Sequence, residues 1–158
     1  MKKISLIHLF VIVLFACGSS QSWPPKPAAI HLGEESCAAC RMIISEERYG
    51  AQLHERGKPV QLYDDYGCLL TRRSIGDSNR RVIYVRSFEN GNWLAEHQAF
   101  YVVSKEILSP MAYGVAAFAT RESAAEFARG LGDSEIYSIS ELIPAAETIL
   151  GAGSHKKE

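Results

Sequence analysis

The chain has 158 residues, 47% of them hydrophobic, with 17 Lys and Arg against 18 Asp and Glu. That near-balance, with the basic residues scattered, excludes the cationic surface on which nucleic-acid binding depends. No Ser-His-Asp order, phosphate loop or carboxylate pair suited to acid–base work stands out, so nothing points to an enzyme.

The sequence opens Met1-Lys2-Lys3 and runs on through ISLIHLFVIVLFA, with no acidic residue before Glu34. Two lysines and a short apolar run are the pattern of a secretory signal peptide, and the run is shorter than the roughly 20 residues a spanning helix needs. It ends LFAC, Leu14 to Cys17, which resembles a bacterial lipobox. Residues 1–16 therefore read as signal peptide and Cys17 as the lipid-bearing start of the mature chain; an uncleaved anchor with an incidental cysteine is the rival reading. Acyl chains would hold the protein on a membrane without a spanning segment. Gly18 rather than Asp after the cysteine favours the outer membrane of a bacterial envelope, with the protein facing the periplasm. Removing residues 1–16 takes Lys2 and Lys3 from the 17 basic residues and leaves 15 against 18 acidic, so the mature chain is mildly acidic. Residues 17–33, rich in Ser, Pro and small side chains, read as a flexible or polyproline-like lipidated tether.

The folded part is expected over 34–150, about 115 residues and one compact domain, with 151–158 as a polar tail. It begins with SCAACRMII, residues 36–44. With Cys17 set aside, three cysteines are left, Cys37, Cys40 and Cys68; an odd number cannot all pair within the chain in an oxidising compartment. Cys37 and Cys40 admit a disulfide, a redox couple or a metal grip. The thioredoxin context is missing, since a Pro-rich segment precedes the pair rather than a strand. Thiolate and thioether together are soft donors, and Cys-x-x-Cys-x-Met suits a soft monovalent ion such as Cu(I) better than zinc, which rarely takes thioether. Met42 and Ile43 also fit as core residues at the start of a strand.

YGAQLHE (49–55) and VQLYD (60–64) then read as a hairpin turning at Gly57-Lys58-Pro59. DYGCLLTRRSIGD is a short helix stopped at Gly76, and RRVIYVRSF (80–88) is the clearest strand. In the second half, AFYVV (99–103) and YGVAAFA (113–119) are strands, and residues 120–133 a helix, with Thr120 as N-cap and Glu122 read as its capping-box partner. SEIYSI (134–139) closes the set. SISELIPAAETILG adds an amphipathic helix capped by Ser and broken or kinked at Pro144. Each half, about 34–95 and 96–150, is strand-strand-helix-strand. VQLYDDYGCLLTRRSIGD lies over VAAFATRESAAEFARGLGD, so the expected fold is α+β, two duplicated ββαβ units with mostly antiparallel sheets and a C-terminal helix.

Taken in order, ESCAACRMIISEERYGAQL, VQLYDDYGCLL, VIYVRSFENGNWLAEHQAFYVV, SPMAYGVAAFATRESAAEFA and GD...ISEL resemble the NosL family, over essentially the whole mature domain. These are the lipoprotein copper chaperones of nitrous-oxide reductase maturation. The resemblance implies a periplasm-facing Cu(I) carrier, not an enzyme, working with nitrous-oxide reductase and its membrane transporter assembly complex; a dimer is compatible with it. It implies Cys37, Cys40 and Met42 as metal loop, Met111 in SPMAYG as a further ligand, and Cys17 as lipid site. It also implies two ββαβ units resembling an organomercurial lyase domain. Arg41 stands where the family often has Gly before the motif Met, and Ala112 follows Met111 where Gly is expected.

Other residues have plainer readings. Cys68, beside Leu69 and Leu70, reads as a packed small hydrophobe. His54 and His97 are imidazoles in polar surroundings, simplest as exposed side chains. Asp64 and Asp65 read as an N-cap pair, and Trp93 as the anchor of the crossing between halves. The rival functions are a non-metal lipoprotein scaffold with a Cys37–Cys40 disulfide, and a thiol-dependent lyase or reductase argued from fold analogy alone. Cys17→Ala is expected to release the protein from the membrane fraction or leave its signal peptide uncleaved. Fractionation with the N-terminal mass checks this, and a processed chain still on the membrane would remove the lipid assignment.

Overall fold

The computed structural model describes residues 22–72 and 78–151. The signal peptide, Cys17, the stop at Gly76 and the tail beyond Gly151 lie outside those residues. The first half contains β1 (Ala51–Glu55), β2 (Gln61–Tyr63), α1 (Tyr66–Arg72) and β3 (Arg81–Arg86). The second contains β5 (Phe100–Val103), β6 (Val115–Phe118), α2 (Arg121–Ala128) and β7 (Glu135–Ser138). A short β4 (Trp93–Ala95), which carries no strand pattern in the sequence, pairs with β3 at the sheet edge, and α3 (Ile139–Gly151) ends the domain.

Every strand pair within the two sheets is antiparallel, and their orders are β2-β1-β3-β4 and β6-β5-β7. In both, the first strand of the unit is central and its second and third strands flank it. Ala51 faces Tyr63 on one side and Val85 on the other; Tyr101 faces Ala117 and Tyr137. This is the duplicated α+β fold expected from the strand and helix signals. The sheets meet at one parallel bridge between Ser87 and Ala117, where the Phe88 N–H donates to the Ala117 carbonyl at 2.8 Å.

The helices depart from expectation in detail. Thr120 caps α2, but the third residue beyond it is Ser123, not a glutamate. Ser123 N–H donates to Thr120 Oγ1 at 3.1 Å, and no reciprocal glutamate box forms. The box chemistry appears instead at α3, where Glu141 accepts from both the backbone N–H and the hydroxyl of Ser138, each at 2.7 Å. α3 also runs through Pro144 unbroken. The proline removes one hydrogen bond, while Leu142, Ala146 and Leu150 at four-residue spacing bury one continuous face.

Two further expectations change. Trp93 packs within its own sheet, its ring under the Arg86 guanidinium at 4.0 Å. The crossing is made by Tyr66 and Tyr101, whose rings stack at 5.0 Å and whose hydroxyls donate to the Glu96 carboxylate (2.7 Å) and carbonyl (3.0 Å). Residues 22–33, read as free tether, lie along the first sheet. The amide of the fully buried Gln52 bonds both the N–H and the carbonyl of Ala28. Tyr84 donates to the Pro25 carbonyl at 2.8 Å, and Arg56 covers the Trp23 ring. Among the described residues no helix is long and apolar enough to cross a membrane.

Asp64 and Asp65 do different work. Asp65 is fully buried and caps α1 through the Gly67 N–H at 2.8 Å, while its other oxygen accepts from Ser109 Oγ (2.6 Å) and the Met111 N–H (3.1 Å). Asp64 accepts from the Ser45 and Glu46 N–H groups, fixing the chain that leaves the cysteine loop. Asp65→Ala would orphan three donors, two of them buried at a cost of about 1–3 kcal/mol each, and remove a cap. A loss of about 3 kcal/mol or more in urea unfolding is expected; a loss under about 1 kcal/mol would contradict this account.

Candidate metal centre

The loop carrying Cys37 and Cys40 is a closed structure of its own. Ser36 and Ile43 form an antiparallel bridge, the Cys37 N–H donates to the Met42 carbonyl at 2.8 Å, and Ile44 N–H to Glu35 at 2.8 Å. Between them the backbone makes one turn, in which the Arg41 N–H reaches the Cys37 carbonyl at 3.0 Å. A turn of that kind ends on a left-handed residue, and Arg41 has φ +67°. The Ala38 N–H donates to Leu62 in β2, which seats the loop on the sheet.

Cys68 arrives from a different element. It is the third residue of α1, buried beside Leu69 and Leu70, and α1 is fixed at its start by Asp65. Gly67 just before it is required by close approach, since a Cβ there would run into the Tyr113 ring. Together these placements bring the Cys37, Cys40 and Cys68 sulfurs within 4.8 Å of one another, all three thiols free. Cys37 is wholly buried, Cys68 is 2% exposed and Cys40 is half-buried, so the cluster has one open side.

The environment divides the thiols. Burial pushes Cys37 up, but the backbone N–H groups of Cys40, Asp64 and Ala39 aimed at its sulfur outweigh this, and its pKa lies below the ordinary thiol value. Burial holds Cys40 above that value despite the Met42 N–H directed at its sulfur. Cys68 is pushed far up by burial and by the two neighbouring sulfurs. Arg41 is exposed, and the groups aimed at the sulfurs of the loop are backbone amides.

The remaining candidates fall at different distances from this centre. Met111 is half-buried and packs against the apolar cluster that includes Cys37 and Cys68, its loop held by Asp65. Met42 is 58% exposed on the loop's outer side rather than a core residue. His54 Nε2 is bonded to Gln52 at 2.7 Å with its ring edge-on to Tyr84, and His97 is exposed. Neither joins the sulfurs: among the described residues that cluster is of cysteines alone. Sequence reasoning placed Cys68 in the packing; the odd cysteine count was the signal that the three could not all be tied up in pairs.

The NosL family model matches residues 27–146, from within the docked N-terminal segment to the middle of α3. The chain belongs to the NosL family. Among solved structures, the copper chaperone NosL from Shewanella denitrificans has the same fold at 18% identity, with TM-score 0.59, over 75% of this chain and 96% of that one. No curated protein matches the chain.

Arg41 (φ +67°) and Ala112 (φ +57°), where the resemblance led glycine to be expected, are the non-glycine residues with positive φ among the described residues. A Cβ in that region costs about 1–2 kcal/mol, which explains why glycine suits both positions. Arg41→Gly and Ala112→Gly are each expected to raise stability by roughly 0.5–1 kcal/mol, after the greater entropy of glycine in the unfolded chain is subtracted. Denaturant midpoints check this, with Arg41→Ala as control; equal gains from Arg41→Ala and Arg41→Gly would locate the effect in the side chain instead.

Proposed function

We propose that this protein binds Cu(I) in the bacterial cell envelope and delivers it to nitrous-oxide reductase during assembly of that enzyme's copper sites. The observation that carries the reading is the convergence of free thiols in a NosL-family chain. Cys37 and Cys40 supply the principal thiolates, and Met111 or Met42 a weaker thioether. Sulfur donors of both kinds match a soft monovalent ion. The similarity to a protein described as a copper chaperone supports the same cargo here.

The geometry suits a carrier rather than a store. The loop amides that stabilise the Cys37 thiolate are in place before the ion arrives, so capture needs little rearrangement. The half-buried Cys40 leaves one side from which an acceptor's ligands can enter. Thiolates must shed protons to bind, so affinity falls as pH drops, whereas a thioether has no proton to lose. Cys17 carries lipid on the periplasm-facing side of the envelope, the outer membrane being favoured, and a membrane transporter assembly complex is the working partner.

Under anaerobic, reducing conditions, competition against a Cu(I) chelator is expected to show about one Cu(I) per chain. The Cys37→Ser, Cys40→Ser double variant should lose at least the roughly 10–100-fold in affinity that weaker, outer-shell changes cost. Oxidation of the pair to a disulfide should abolish binding. Unchanged uptake by the double variant would place the ion elsewhere, with Met111 and a histidine as the leading ligands.

A further inference from the structure

We infer that Cys68 is the third thiolate of the copper site, so that the ion staples the 37–42 loop to helix α1. The inference rests on the Cu(I)-carrier reading above and concerns how the cargo is held. A cysteine that serves only as a small hydrophobe has no reason to sit with its sulfur within 4.8 Å of two others. At a metal–thiolate distance of about 2.3 Å, three sulfurs in a plane around one ion stand about 4 Å apart. The cluster therefore closes on a trigonal ion with small side-chain movements.

The supports of the third ligand are rigid. Cys68 lies in a helix whose N-terminus is capped by a buried carboxylate, and whose residue 67 is packed too closely against Tyr113 to accept a Cβ. Thr71 Oγ1 donates to the Cys68 carbonyl at 2.8 Å and is itself hydrogen-bonded to Tyr113. Before an ion joins them, helix and loop meet through side chains, among them Arg72 on the Ala39 carbonyl at 3.5 Å, and the loop sits on β2 through Ala38. Once joined, the ion is coupled through Asp65 to Ser109 and Met111 in the other half.

The staple also gives release an order. Cys37 and Cys68 are buried, and Cys40 is the one thiol open to an incoming ligand. An acceptor's sulfur or nitrogen replaces the Cys40 thiolate first, and the two buried thiolates last. No electrons move: copper stays Cu(I), each thiol that binds gives up one proton to solvent, and each thiolate that is displaced takes one back.

The test uses the full mature chain, loaded anaerobically with Cu(I). Sulfur scatterers are counted by X-ray absorption in the wild type and in a Met42→Leu, Met111→Leu double variant, which removes both thioethers with little effect on packing. Three sulfurs are expected in the double variant, where no thioether is left to fill the count, and one fewer than wild type in Cys68→Ala. Cys68→Ala is also expected to hand Cu(I) to a chelator at least roughly tenfold faster and to lose most of the Cu(I)-induced rise in melting temperature. Should Cys68→Ala fail to fold, the double thioether variant decides alone: two sulfurs there would overturn the inference while leaving the carrier reading intact. Equal transfer rates in Cys68→Ala and wild type would overturn it as well. A wild type that takes no Cu(I) would overturn both.

Discussion

One buried carboxylate connects the parts of this molecule that matter to its site. Asp65 holds the first turn of α1 with one oxygen, and the Ser109 hydroxyl and Met111 N–H of the opposite half with the other. Burial raises its pKa, while the three hydrogen bonds from Ser109, Gly67 and Met111 favour the ionised form. Such a group is costly to bury alone and strongly orienting once its partners are in place. Through it the helix that carries Cys68, the loop that carries Met111 and the Tyr113 ring above Gly67 are one unit.

The duplication shows why this connection exists in one half only. Asp65 precedes α1 as Thr120 precedes α2, and Cys68 occupies the third helical position as Ser123 does. Thr120 has one side-chain oxygen, which is spent on Ser123 within its own helix. Asp65 has two, so after capping it still has an acceptor free to cross to the other unit. A threonine-to-aspartate difference at equivalent caps turns a local signal into a tertiary bond, and a serine-to-cysteine difference two residues into each helix turns a polar first turn into a metal ligand candidate.

The cysteine loop solves a separate problem, that of easing the ionisation of a thiol shut away from water. Its hydrogen bonds pull the backbone into one turn whose amides point inward at Cys37 and Cys40, supplying partial positive charge without a counter-ion. The same tightness forces Arg41 through the left-handed region, and the matching loop at Ala112 is strained in the same way. Strain concentrated in the two loops beside the candidate site, with none elsewhere among the described non-glycine residues, is the pattern of a pre-arranged binding region.

By itself the sequence determined what local chemistry can determine. Alternation marked the strands of both units, helical spacing marked α1, α2 and α3, and Thr120 marked a cap; together they implied the repeated α+β topology. Cys37, Cys40 and Met42 were legible because they lie within one short motif of soft donors. The docking of residues 22–33 was not, because Ser, Pro and small residues look like tether, and what pins them is Gln52, a polar side chain in the middle of a strand. Nor was the passage of α3 through Pro144, where burial of a whole helix face outweighs one lost hydrogen bond. Above all, only the tertiary structure could bring Cys68 to the other two cysteines. It lies 28 residues beyond Cys40 in a different element, and nothing in its local sequence separates a packed thiol from a ligand; that distinction is made by which sulfurs it meets in space.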